Sequence, residues 1–376
     1  MKWRTEKPEN LSLVALALFS VLVFYVAEQT AEPERQPNFD RKLQAAKLTL
    51  VAREAVKSYS QNLGITVDVQ NDPYRTGIIG QERTPITSDR GIVTSKILTT
   101  NPNFAAVFID MLVKAKVKRH SVVAVGMTGS FPGWNIAFLS ACMALEVKPI
   151  ILTSVGSSDW GANLPTLTWL DMERVLSDRG LISFKSAGAS IGGGADNGRG
   201  LSPEGRDLIR QAVRRNGVRL IEDSTLEQTI AHRMDLYREL SKGKPIAAYV
   251  NIGGGVASLG GSQNARLIPS GLTQHLAVRN FPVRAVINQF AEQGLPVINL
   301  SSVEEIAARY GLPVEVEVKE PELGEGPLFF KDRYSIVSTS ILTILLGVVV
   351  FIIMRLDVRH YLFRRRTQSM EDAVAS

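Results

Sequence analysis

The stretch VVAVGMTGSFPGWNIAFLSACMAL, residues 122–145, decides how the rest of the chain is read. A β-branched apolar run enters a loop with three glycines, and a helical pattern follows, with Ser130 at the turn between Gly129 and Phe131. Strand, glycine turn and helix in succession form the repeating unit of a parallel sheet.

The rhythm continues downstream. Strands are expected at 121–125, 149–153, 219–221, 246–252 and 296–300. Helices are expected at 134–145, 166–176, 225–240 and 303–310, with one more beginning near Pro203. Upstream, residues 38–63 place apolar side chains on one helical face, and 104–117 repeats that pattern. Between them DPYRTGIIGQERTPITSDRG, residues 72–91, is too long and too polar for an ordinary connection, as functional loops often are. The predicted fold is therefore α/β, a largely parallel sheet with helices on both faces. Ligands of such sheets bind beyond the carboxyl ends of the strands.

The two ends read differently. Residues 11–27 (LSLVALALFSVLVFYVA) and 335–354 (SIVSTSILTILLGVVVFIIM) carry no charge. Roughly 20 apolar residues cross the ~30 Å hydrocarbon layer, so each run is expected to be a transmembrane helix. The first lacks a small-x-small cleavage site and reads as an uncleaved anchor rather than a signal peptide. Lys2, Arg4 and Lys7 precede the first run, while Arg355, Arg359 and Arg364 to Arg366 follow the second. Positive charge stays inside, which places both termini in the cytoplasm and the main domain outside the cytoplasmic membrane. The expected organisation is a cytoplasmic tip and anchor (1–27), a membrane-proximal helix and long loop (28–91), an extracytoplasmic α/β domain (92–333), a second span (334–354) and a basic cytoplasmic tail (355–376).

Of the net charge of +6, half lies in the two end segments, leaving +3 on the domain. That is topology signal, and it does not indicate nucleic-acid binding. The lone cysteine, Cys142, sits in an apolar helix and reads as a small core residue; no intramolecular disulfide is possible.

Four glycine- and serine-rich segments follow expected strands or precede expected helices, a setting in which backbone N–H groups can hold anions. The first offers Thr128, Gly129 and Ser130. The second, SVGSSDWGAN, offers Ser158, Asp159, Trp160 and Asn163. The third, SAGASIGGGADNGRGLS, offers Asp196, Asn197 and Arg199. The fourth offers Gly253, Gly254 and Gly255. No P-loop or dinucleotide fingerprint is present, and the glycines also suit plain tight turns. Arg75, Glu82 and Arg83 in the early loop are further candidates.

Ser130 has the outline of a nucleophile elbow, but Thr128 stands where that motif needs glycine. It serves as a nucleophile, a ligand-binding hydroxyl or a helix cap. His120, His232 and His275 are the candidate bases, and none is well placed in the pattern. No metal-ligand spacing appears, so neither a metal nor a cofactor is expected.

The segments VGMTGSFPGWN, GSSDWGANLPTLTWLDME, GASIGGGADNGRGLS and NIGGGVASLGG, set between two terminal apolar runs, resemble the bacterial poly-gamma-glutamate system protein family. The resemblance implies an accessory role in making, exporting or attaching a capsule-like poly-γ-glutamate polymer. The implied partners are the polymer or its precursor, the membrane, and the synthase or export subunits. It implies no catalytic residue. Arg199, Arg75 and Lys185 are candidate partners for the polymer's carboxylates. A serine-dependent hydrolase or transferase of γ-glutamyl amides and a non-catalytic scaffold are the alternative expectations.

Overall fold

The computed structural model describes residues 10–277 and 279–355. The expected cytoplasmic tip, up to residue 9, and the tail from residue 356 lie outside the described residues. Two units are present, Gln36–Phe329 and the flanking residues on either side of it.

The larger unit is built on seven strands: β1 (Val122–Thr128), β2 (Lys148–Ser154), β3 (Gly188–Ser190), β4 (Arg219–Ile221), β5 (Ile246–Ile252), β6 (Gly271–Thr273) and β7 (Val297–Leu300). Their order across the sheet is β6-β7-β5-β1-β2-β3-β4. All neighbours run parallel except β6, which pairs antiparallel with β7. From β1 the chain winds outward through β2, β3 and β4, then returns to the other side of β1 with β5. The order thus reverses between β1 and β5.

β1 is buried along its whole length, as its run of Val122, Val123, Val125 and Met127 requires of a strand packed on both sides. Ala124, Leu152, Tyr249 and Val297 pack with Met234, Tyr237 and Phe290 from helices Leu226–Ser241 and Val286–Glu292. Helix Pro132–Leu145 is sealed among Phe39–Asn62 and Phe104–Lys114, where Phe104, Phe108, Trp134 and Phe138 make edge-on and stacked ring contacts. The membrane-proximal helix and the long loop therefore belong to the same unit as the sheet. Cys142 is fully buried in this cluster, and burial pushes its thiol pKa up, so it stays protonated.

Several elements differ from expectation, among them helix Val286–Glu292 and the three that follow. β3 has the sequence Gly-Ala-Ser, without a β-branched residue, and reads locally as loop. The antiparallel edge strand β6 is equally short. Helix Val93–Leu98 stands inside a segment where no element is expected.

In the smaller unit, helices Asn10–Gln29 and Ile336–Arg355 pack along one another, with their large apolar side chains exposed. Both are long and apolar enough to cross a membrane. Strand Glu32–Arg35 pairs antiparallel with Phe330–Arg333, in the register Glu32 to Arg333 and Arg35 to Phe330.

Candidate functional site

At the point of order reversal, the carboxyl ends of β1 and β5 open into a cleft of about 680 Å³. Thr128 lines it and packs against Gly253, which is not itself in the lining. The Thr128 hydroxyl donates to the Ile252 carbonyl (3.3 Å) and accepts the Ser130 N–H (3.2 Å). Gly253 has φ +93°, and a Cβ there would sit 2.1 Å from Thr128 Oγ1, so only glycine lets the two strand ends meet.

The loop after β2 closes against the loop after β1. Ser157 Oγ donates to the Gly129 carbonyl (3.0 Å), and the Ser158 N–H donates to Ser130 Oγ (3.1 Å). Short strands Thr87–Asp89 and Ser157–Ser158 pair in parallel, which brings the end of the long early loop to the rim. That loop runs directly into helix Val93–Leu98, which carries Lys96.

Lys96 is 2% exposed. Its Nζ donates to the Ser130 carbonyl (2.5 Å) and to Ser158 Oγ (2.6 Å), and lies 4.1 Å from the centre of the Phe131 ring. Among the described residues no carboxylate reaches ion-pair distance of it. Burial holds its pKa down to about 7, against the opposing pull of Asp159 and Asp89. At neutral pH a large fraction of this amine is therefore uncharged and can accept a proton. Asp159 accepts the Gly91 N–H through Oδ2 (3.1 Å), while its buried Oδ1 has no hydrogen-bond partner among the described residues.

Two lining residues, Asp196 and Ser154, are tied into an ionic network with Arg233 behind them. Arg233, also 2% exposed, donates to Asp196 Oδ2 through Nε (3.1 Å) and Nη2 (2.8 Å), and through Nη2 to Ser190 Oγ (2.7 Å) and Ser154 Oγ (3.0 Å). Ser154 in turn donates to Asp196 Oδ1 (2.7 Å). Burial opposes the arginine's charge, but Asp196 more than offsets it and the guanidinium pKa is raised.

Of the residues singled out in the sequence, Thr128, Ser130, Ser158, Asp196, Gly254 and Gly255 line the cleft. The others do different work. Gly129 is packed under Val155 and Ser157. Asn163 is fully buried, and its amide holds Gln81 and Thr87. Trp160 donates its backbone N–H to the Gln81 carbonyl from a left-handed backbone, outside the cleft. Asn197 and Arg199 face a separate hollow of about 370 Å³ beside Arg206 and Arg210. Arg75, Glu82, Arg83 and Lys185 are exposed and stand away from the cleft. The histidines do not reach it either: His232 pairs with Asp223 (3.2 Å), His275 is exposed, and His120 sits at the opposite end of β1.

The cleft thus offers hydroxyls and glycine backbone beside one amine of lowered pKa, with Asp89, Arg90, Asp196 and Glu304 also in its lining, rather than a cationic surface. Lys96 escaped the residue-by-residue reading, although a signal existed: between Arg90 and Asp110 it is the sole charged residue. Among the described residues no cluster of metal-ligating side chains is present. No family model, curated protein or solved structure matches this chain.

Proposed function

We propose that this chain is a membrane-anchored component of a bacterial poly-γ-glutamate system, whose extracytoplasmic α/β domain, with helices on both faces of its sheet, takes up a γ-glutamyl chain or its precursor. One observation carries the reading. The four segments on which the family resemblance rests come from distant parts of the sequence, and each contributes to the one cleft: Thr128 and Ser130, Ser158, Asp196, and Gly254 with Gly255. A chain of amides and carboxylates suits this lining, because hydroxyls and backbone amides hydrogen-bond both groups without large net charge.

The anchoring rests on the two apolar helices. Their domain-side ends lead into an antiparallel strand pair, which supports spans of opposite direction and termini on one side. The excess of lysine and arginine at both ends makes that side the cytoplasm. The synthase or export subunits are the protein partners this placement suits.

Gly254 has open space where a Cβ would stand and lines the cleft, so Gly254→Trp fills the cavity. With full-length protein in detergent micelles, γ-linked glutamate oligomers are expected to bind saturably to wild type and at least tenfold more weakly to Gly254→Trp. Equal binding by the variant, or equal binding of α-linked polyglutamate, overturns the reading.

A further inference from the structure

We propose that Ser158 and Lys96 form an acyl-transfer centre in which Ser158 Oγ is the nucleophile and Lys96 Nζ its general base. The two atoms are 2.6 Å apart, within reach for direct proton transfer. Ser158 lines the cleft and is 8% exposed, which makes it a cleft hydroxyl for an entering carbonyl carbon to react with under this proposal.

The surroundings set the roles. A buried cation kept for structure is ordinarily paired with a carboxylate, as Arg233 is with Asp196. Lys96 has instead a carbonyl, a hydroxyl and a ring face. Its pKa of about 7 suits a base at neutral pH. Once protonated, it is stabilised by Asp159 and Asp89; Arg90, Glu304 and Asp196 are the other charged groups lining the cleft. Ser130 is a positioning residue: its hydroxyl accepts the Ser158 N–H, and its carbonyl accepts from Lys96.

The reaction class follows. Ser158 Oγ attacks the carbonyl carbon of an amide, and its proton passes to Lys96 Nζ. The C–N bond breaks as Lys96 returns that proton to the leaving amine, which leaves an ester on Ser158. Water or a second amine then attacks the ester, gives its proton to Lys96, and the Ser158 oxygen recovers it on release. Water makes the net change hydrolysis; an amine makes it transfer. That the amide is γ-glutamyl rests on the functional reading above, whereas the Ser158–Lys96 pair does not.

The test treats full-length protein in detergent micelles with a fluorophosphonate, maps the adduct by mass spectrometry, and follows poly-γ-glutamate chain length in parallel. The adduct is expected on Ser158, absent in Ser158→Ala, still on Ser158 but formed more slowly in Ser130→Ala, and formed about 100-fold more slowly in Lys96→Met. Its rate in wild type should fall about tenfold per pH unit below pH 7, as Lys96 becomes protonated. Unfolding curves establish that each variant is folded. An adduct on Ser130, no adduct on folded wild type, or an unchanged rate in folded Lys96→Met overturns the proposal. An adduct on Ser158 with polymer length unaltered upholds the pair and removes γ-glutamate as its substrate.

Discussion

Arg233 and Lys96 are equally hidden, each 2% exposed: Lys96 lines the cleft, and Arg233 holds two of its lining residues, Asp196 and Ser154. Arg233 meets a carboxylate through two nitrogens and two serine hydroxyls besides, and its charge is held. Among the described residues Lys96 has no carboxylate in ion-pair contact, and burial brings its pKa to about 7. The same degree of burial thus makes one cation a structural tie and leaves the other ready to exchange a proton. What differs is the partner set rather than the depth.

The largest effect that breaks or upholds this contrast comes from removing Asp196. Asp196→Ala leaves the Arg233 guanidinium uncompensated and is expected to cost about 3–5 kcal/mol of unfolding free energy in urea titration. Lys96→Met removes a desolvation penalty and fills similar volume, so its cost should stay below about 1.5 kcal/mol. Equal losses in the two variants would erase the distinction between a tie and a base.

A second substitution probes the loop contact that holds Ser158 beside Lys96. A Cβ on Gly161 would lie 2.2 Å from Ser157 Oγ and 2.8 Å from the Gly129 carbonyl. Gly161→Ala is expected to cost about 1–3 kcal/mol by overpacking, with fluorophosphonate labelling slowed as well. Wild-type stability and labelling in that variant would show that the loop junction does not set the geometry.

The pH dependence of stability sharpens the contrast further. The pKa of Lys96 lies below its ordinary value of 10.5, so between about pH 7 and 10.5 the unfolded chain binds more protons than the folded one. Stability contributed by this site therefore rises with pH through that window and is at its lowest below pH 7. The unfolding free energy of wild type relative to Lys96→Met should climb by at most about 1.4 kcal/mol per pH unit there. A flat difference would mean that Lys96 keeps an ordinary pKa. The smallest effect belongs to Arg199, which is exposed and outside the cleft. Arg199→Ala should shift stability by less than about 0.5 kcal/mol and leave oligomer binding at the cleft unchanged.

Much of the architecture was legible because it is written in local pattern. The β-branched runs at 122–125 and 246–252 and the amphipathic periodicity of 39–62 announce strand and helix without reference to the rest of the chain. β3 was not legible, because Gly-Ala-Ser becomes a strand only where β2 and β4 hydrogen-bond to it from both sides. Asn163 and Trp160 have the look of ligand groups in SSDWGAN, yet the long early loop claims the Asn163 amide and the Trp160 N–H for its own anchoring. Ser130 is a turn residue that lines the cleft, and His120, His232 and His275 are absent from that lining. The amine comes from a six-residue helix 34 residues upstream, and it reaches Ser130 through the backbone carbonyl and Ser158 through the hydroxyl.

The sequence by itself determined the alternation of strands and helices, the two apolar end segments and the glycine-rich turns, since each depends on side-chain type at neighbouring positions. Only the tertiary structure decided which of those turns share a cleft, which serine stands beside an amine, and which buried cation is paired. Those are relations between residues tens of positions apart. They depend on strand order and on burial, and burial is what moves the Lys96 amine from a surface charge to a base.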